Sequence, residues 1–190
     1  MRLKDLFYLH GYNSSAKSEK ALQCQKFFLE NYTSINFHVP KLSDIPNIAI
    51  ELLDNQLKSI KEPVLIGSSL GGFYANFFSE KLSCKSVLIN PVVSPHILMN
   101  NYLGKQRNRY TGETFTLKEE HMLQLKSLYI DVMSDPKKRL VLLQTGDETL
   151  DYTEARDYFR DSCISIESGG SHRFDGFKNW LPSIANFLEL

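Results

Sequence analysis

The chain has 190 residues, 42% of them hydrophobic and 23% charged, and its 22 Lys and Arg balance its 22 Asp and Glu. That length suits one domain with one core, and the composition lies near the globular average rather than with disordered or fibrous chains. With no net charge there is no long-range field toward phosphate backbones or anionic lipid, which argues against a nucleic acid or a membrane surface as partner.

From the N-terminus, Met1-Arg2-Leu3-Lys4-Asp5-Leu6 puts charges where a signal peptide needs an apolar stretch. No long apolar run occurs elsewhere, so a cytoplasmic location is expected. Six short apolar runs then punctuate the chain: Leu6 to Leu9, Ile35 to Val39, Val64 to Ile66, Ser86 to Ile89, Leu140 to Leu143 and Ile164 to Ile166. Each has the length of a buried strand.

Between the runs, Ser18 to Asn31, Ile48 to Ile60, Gly72 to Leu82 and Thr153 to Asp161 carry apolar residues at helical spacing, and Phe174 to Leu188 reads as a closing helix. This alternation predicts βα units around a mainly parallel sheet of roughly six strands, covered by helices on both faces. One connection is long. Residues 91–138 contain polar stretches around Asn100-Asn101 and Gly104 to Gly112 and a predicted helix from Leu117 to Leu128, and read as a cap-like insertion in a single domain spanning 1–190. Cys24, Cys84 and Cys163 are odd in number and widely spaced with no CxxC pair, so they are expected as reduced, buried thiols.

The strongest chemical signal is Gly67-Ser68-Ser69-Leu70-Gly71-Gly72, set between a predicted strand and a predicted helix. A strand that turns sharply into a helix crowds its neighbours, so residues without Cβ must flank a serine that takes a strained backbone conformation. Centring the pattern on Ser69 uses Gly67 and Gly71, whereas centring it on Ser68 puts Ile66 and Leu70 in the glycine positions. Ser69 is therefore the candidate nucleophile of a three-layer α/β-hydrolase fold.

In that fold the acid and then the base follow the nucleophile. His172, in the glycine-rich segment Ser168 to Phe174 after the last apolar run, is the candidate general base. Asp147, first after the turn glycine Gly146, is the candidate orienting acid; Asp151 is the second choice, and Glu148 is expected to face solvent. The oxyanion donors are expected to be the backbone N–H groups of Leu70 and Tyr12, the latter in the loop Leu9-His10-Gly11-Tyr12. His10 reads as a structural histidine. His38, His96 and His121 lack the paired spacing of metal ligands, so no metal is expected.

With these residues in view, the chain resembles the YqiA/YcfP family of small bacterial α/β-hydrolases nearly end to end. The resemblance is carried by Tyr8 to Ser15, Gly67 to Tyr74, Asn90-Pro91, Tyr110-Thr111-Gly112-Glu113, Gln144 to Glu148 and Gly169 to Phe174. It implies an intracellular esterase of short-chain acyl esters, extending to acyl thioesters, that uses no cofactor. Two departures stand out: Tyr12 replaces an expected phenylalanine, and Arg107-Asn108-Arg109 a less basic stretch.

The predicted activity is thus hydrolysis of a small-molecule carboxylic ester through an acyl-enzyme on Ser69. Leu98, Met99, Tyr102, Leu103 and Phe115 in the insertion are expected to line the acyl pocket. A thioesterase or peptidase would use the same triad, and a binding module could keep the fold without turnover. A nucleotide-binding domain fits poorly, because neither GxGxxG nor a P-loop follows the first strand.

Overall fold

The computed structural model describes residues 3–190; Met1 and Arg2, part of the N-terminal segment read above, lie outside the described residues. In chain order, β1 (Lys4–Leu9), α1 (Glu19–Asn31), β2 (Ile35–His38), α2 (Pro46–Leu57), β3 (Val64–Ser68), α3 (Leu70–Leu82) and β4 (Ser86–Ile89) form the first half. Next come α4 (Pro95–Leu98), the antiparallel hairpin of β5 (Gly104–Arg107) and β6 (Thr114–Leu117), and α5 (Glu119–Ser127). The chain then runs through β7 (Arg139–Gln144), α6 (Tyr152–Tyr158), β8 (Cys163–Glu167) and α7 (Leu181–Leu188).

Six strands form one parallel sheet in the order β2-β1-β3-β4-β7-β8. Because successive strand residues point to opposite faces, each strand feeds two cores. Phe7, Leu9, Leu65, Leu88, Val141 and Leu143 pack with residues of α2, α3, α5 and α6, while Leu6, Tyr8, Val64, Ile66, Val87, Ile89 and Leu142 pack with α1 and α7. Large side chains such as Phe28 and Leu53 are fully buried, each stabilising the fold by about 1.5–3 kcal/mol. The two faces explain why the runs read as continuously apolar rather than alternating.

The strand order also places the site. From β1 the chain moves outward to β2, then returns past β1 to β3, so the loops leaving β1 and β3 diverge at their carboxyl ends and open a crevice there. Further along, Arg139 of β7 is fully buried and is satisfied by Glu80 Oε2 at 2.5 Å, Asn76 Oδ1 at 3.2 Å and the Asp135 carbonyl at 2.7 Å. It ties α3 to the strand that leads to Asp147.

Three expectations need correction. The α-helix expected from Phe174 begins only at Leu181, because Phe174 (φ 62°) and Gly176 (φ 73°) are left-handed; Phe177–Trp180 form a single 3₁₀ turn ahead of it, and Phe174 and Phe177, each 2% exposed, anchor the segment in the core. The segment 91–138 holds the β5–β6 hairpin ahead of a shorter helix than predicted, and Leu117, Met122, Leu125 and Leu128 enter the same core as α2 and α3. Cys24 and Cys84 are buried, but Cys163, at the start of an edge strand, is only half-buried. No helix among the described residues is long and apolar enough to cross a membrane.

Candidate active site

Ser69 sits between β3 and α3 with φ 56° and ψ −121°, a conformation that L-residues rarely adopt and that the surroundings must enforce. They do so by contact. A Cβ on Gly67 would overlap the Gly71 carbonyl, and one on Gly71 would overlap the carbonyls of Leu9 and His10, so α3 approaches both β3 and β1 at backbone distance. The Ser69 amide donates to the Ile89 carbonyl at 3.0 Å, and its own carbonyl accepts from Gly72 and Phe73 in the first turn of α3.

The hydroxyl of Ser69 lies 3.1 Å from His172 Nε2. On the far side of the ring, His172 Nδ1 lies 2.8 Å and 3.0 Å from the two carboxylate oxygens of Asp147. A carboxylate only accepts, so Nδ1 carries the proton and Nε2 turns its lone pair toward the serine. The Asp147 side chain is 2% exposed, and its Oδ1 also accepts the amides of Thr149 and Leu150 at 2.9 Å each. Asp151, the alternative acid, instead caps α6 by accepting from the Thr153 amide.

The loop bearing His172 is held by side chains from neighbouring strand ends. Gln144 Oε1 accepts the amides of Ser171 (3.1 Å) and Asp175 (2.8 Å), while its Nε2 donates to the Asp175 carbonyl and to Glu167, both at 2.8 Å. Asn90 donates to the Ser171 carbonyl at 3.0 Å and accepts the Gln144 amide at 3.0 Å. Glu148 is solvent-facing as expected, yet its carboxylate accepts the His172 amide at 2.9 Å, and that bond above all holds its pKa below the ordinary value.

The loop after β1 is braced from another direction. His10 Nε2 accepts the Leu42 amide at 3.1 Å, so its Nδ1 is the protonated nitrogen and donates to the Gly11 carbonyl at 3.0 Å. Burial lowers its pKa, keeping it a neutral structural histidine. Asp44 accepts the Asn13 amide (2.7 Å) and the side-chain amide of Asn108 (2.7 Å), and Asn108 also reaches the Ser14 carbonyl (3.1 Å). The hairpin turn is thereby bonded to the loop that passes over Ser69, where a Cβ on Gly11 would stand 3.1 Å from that of the serine.

Comparison with known proteins agrees with this arrangement of elements. The model of a family described as Uncharacterised protein family (UPF0227) matches residues 5–189. The chain belongs to that family. A UPF0227 protein from Shewanella woodyi is 28% identical over 197 aligned positions, spanning 97% of this chain and 99% of its own. Among solved structures, a putative hydrolase from Agrobacterium vitis superposes with a TM-score of 0.74 at 16% identity, covering 98% of this chain and 88% of that one. Est1E from Butyrivibrio proteoclasticus gives 0.72 at 14% identity, covering 99% and 88%. The fold is that of the α/β-hydrolases.

In this UPF0227 chain, Ser69 and His172 open onto a cavity of about 720 Å³. Its wall includes Tyr12, the α1 residues Glu19, Lys20 and Gln23, and the segment from Arg173 to Lys178. The five residues expected to line an acyl pocket lie elsewhere. Met99 is buried in the core, Leu98 and Phe115 pack half-buried against it, and Tyr102 and Leu103 are exposed at 38% and 37%. Tyr102 and Phe115 flank the ring of Tyr12 at centroid distances of 5.8 and 6.0 Å, so they support the loop after β1 from behind. Among the described residues, no group of three or more His, Cys, Asp or Glu side chains is placed to hold a metal ion.

Sequence reasoning missed Gln144, Asn90, Glu148 and Asn108 as positioning groups. The available signal was an amide or acid side chain at the carboxyl end of a strand or in a turn, where loop backbone must find partners.

Proposed function

We propose that this protein is a serine hydrolase that cleaves carboxylic esters of short-chain acyl groups through an acyl-enzyme on Ser69. The observation that carries the reading is the unbroken hydrogen-bonded series from the Ser69 hydroxyl through both nitrogens of His172 to the buried Asp147 carboxylate. In this reading, His172 Nε2 removes the Ser69 proton as Oγ attacks the ester carbonyl, and the imidazolium formed is stabilised by Asp147. It returns the proton to the departing alkoxide; water, activated by the same nitrogen, then releases the acid and restores the serine.

Leu70 is the first residue of α3, so its N–H has no partner within the helix and is free to meet the oxyanion. Tyr12 N–H is assigned as the second donor, from the loop that crosses the serine. Each such donor contributes about 2.7–4 kcal/mol to barrier lowering.

Ser69→Ala should lower turnover of p-nitrophenyl acetate by about 10³-fold or more and abolish labelling by a fluorophosphonate probe. Wild-type rates in that variant, with its fold intact by circular dichroism, would reject the assignment.

A further inference from the structure

The cavity beside Ser69 is not an apolar acyl slot. Its wall carries three cations, Lys20, Arg173 and Lys178, against two carboxylates, Glu19 and Asp175. Both carboxylates are engaged locally, Glu19 with Gln23 Nε2 at 3.0 Å and Asp175 with Ser171 Oγ at 2.8 Å. Arg173 and Lys178 lie on the exposed rim, whereas Lys20 is partly buried.

The Lys20 ammonium donates to the Arg173 carbonyl at 2.7 Å, which places it beside the residue that follows His172. Among the described residues, no carboxylate forms an ion pair with it. An ammonium has three N–H donors, so two remain for an occupant. A partly buried ammonium with no direct ion pair is incompletely compensated, and an anion brought by a ligand offsets that deficit.

We propose that the catalytic cavity selects esters bearing an anionic group, which is seated on the Lys20 ammonium. This rests on the hydrolase reading of Ser69 and deepens it by naming the substrate class. Burial brings the Lys20 pKa down to about 8, with Glu19, Cys24 and Asp147 opposing that shift and Arg173 adding to it. The ammonium therefore predominates at neutral pH and is the form an anion meets.

The test compares matched ester pairs that differ in the anion: mono-4-nitrophenyl adipate against 4-nitrophenyl hexanoate for an anion on the acyl side, and 4-acetoxybenzoate against its methyl ester for one on the alcohol side. The readout is the anionic-to-neutral ratio of kcat/KM. In at least one pair the ratio should exceed one in the wild type and fall about tenfold, through KM, in Lys20→Met, with Lys20→Arg restoring most of it. The pair that responds identifies the side that carries the charge. An equal loss on both members of each pair would mean that Lys20 only holds the Arg173 carbonyl, and would overturn the proposal, as would a wild-type ratio at or below one in both pairs.

If the wild type turns over none of the four esters, the hydrolase reading fails by itself. Calorimetric titration of Ser69→Ala with adipate then decides the anion site: binding that Lys20→Met removes supports it, and no binding rejects it.

Discussion

Two parts of the site are fixed by different physics. The Ser69 elbow is held by backbone packed on backbone, with Gly67 and Gly71 where no Cβ fits. The His172 loop is held by polar side chains, with Gln144 alone making four hydrogen bonds and Asn90 and Glu148 adding more. Close contact is local and leaves no alternative conformation, so the elbow is inseparable from the fold. A hydrogen-bonded loop can lose its anchors while the sheet beneath it stays intact.

Three substitutions test the contrast. Gly71→Ala should have the largest effect: its methyl group meets the Leu9 and His10 backbone, which cannot yield as a flexible side chain would, so stability falls by about 3 kcal/mol or more together with activity. Urea denaturation measures it, and a variant that stays stable would show that the α3–β1 contact can relax. Gln144→Ala should cost a more modest 1–3 kcal/mol while lowering kcat by about tenfold with KM little changed, because the histidine loses its placement rather than the substrate its cavity. Unaltered kcat would mean that Asn90 and Glu148 suffice.

Glu148→Gln should have the smallest effect, visible in its pH dependence. The pKa of Glu148 is lowered in the folded protein, so its contribution is present above the ordinary carboxylate pKa and lost as pH falls through the lower folded value. The melting-temperature advantage of wild type over the variant should accordingly be found at pH 7 and shrink as the pH falls below the ordinary carboxylate range. An advantage that persists in acid would assign the effect to something other than the carboxylate.

The same contrast governs what could be read from the sequence. The elbow, the strands and the order Ser69, Asp147, His172 are written in short segments, because glycine spacing and apolar runs report local constraints. Gln144 and Asn90 stand in recognisable segments, but their partners lie 23 to 81 residues away, and no local pattern names such a partner. Phe174 and Phe177 mislead for a related reason: apolar spacing reports burial, and here it marks a loop and a 3₁₀ turn anchored in the core, with a left-handed Gly176 between the two rings. The hairpin escaped because Gly104-Lys105-Gln106-Arg107 lacks apolar alternation; its two strands pair mainly with each other, apart from the main sheet. Leu98, Met99, Tyr102, Leu103 and Phe115 are absent from the cavity wall, to which the same segment contributes Tyr110, the rest coming from the loop after β1, α1 and the His172 loop.

The bonds from Asn108 to Asp44 and Ser14 make the β5–β6 hairpin a fixed lintel on the loop after β1 rather than a swinging door. The cavity onto which Ser69 opens is walled by Tyr110 of that hairpin together with α1 and the His172 loop. A hairpin transplanted from another protein would need to bring its own asparagine to that joint, or the threshold beneath it would sag.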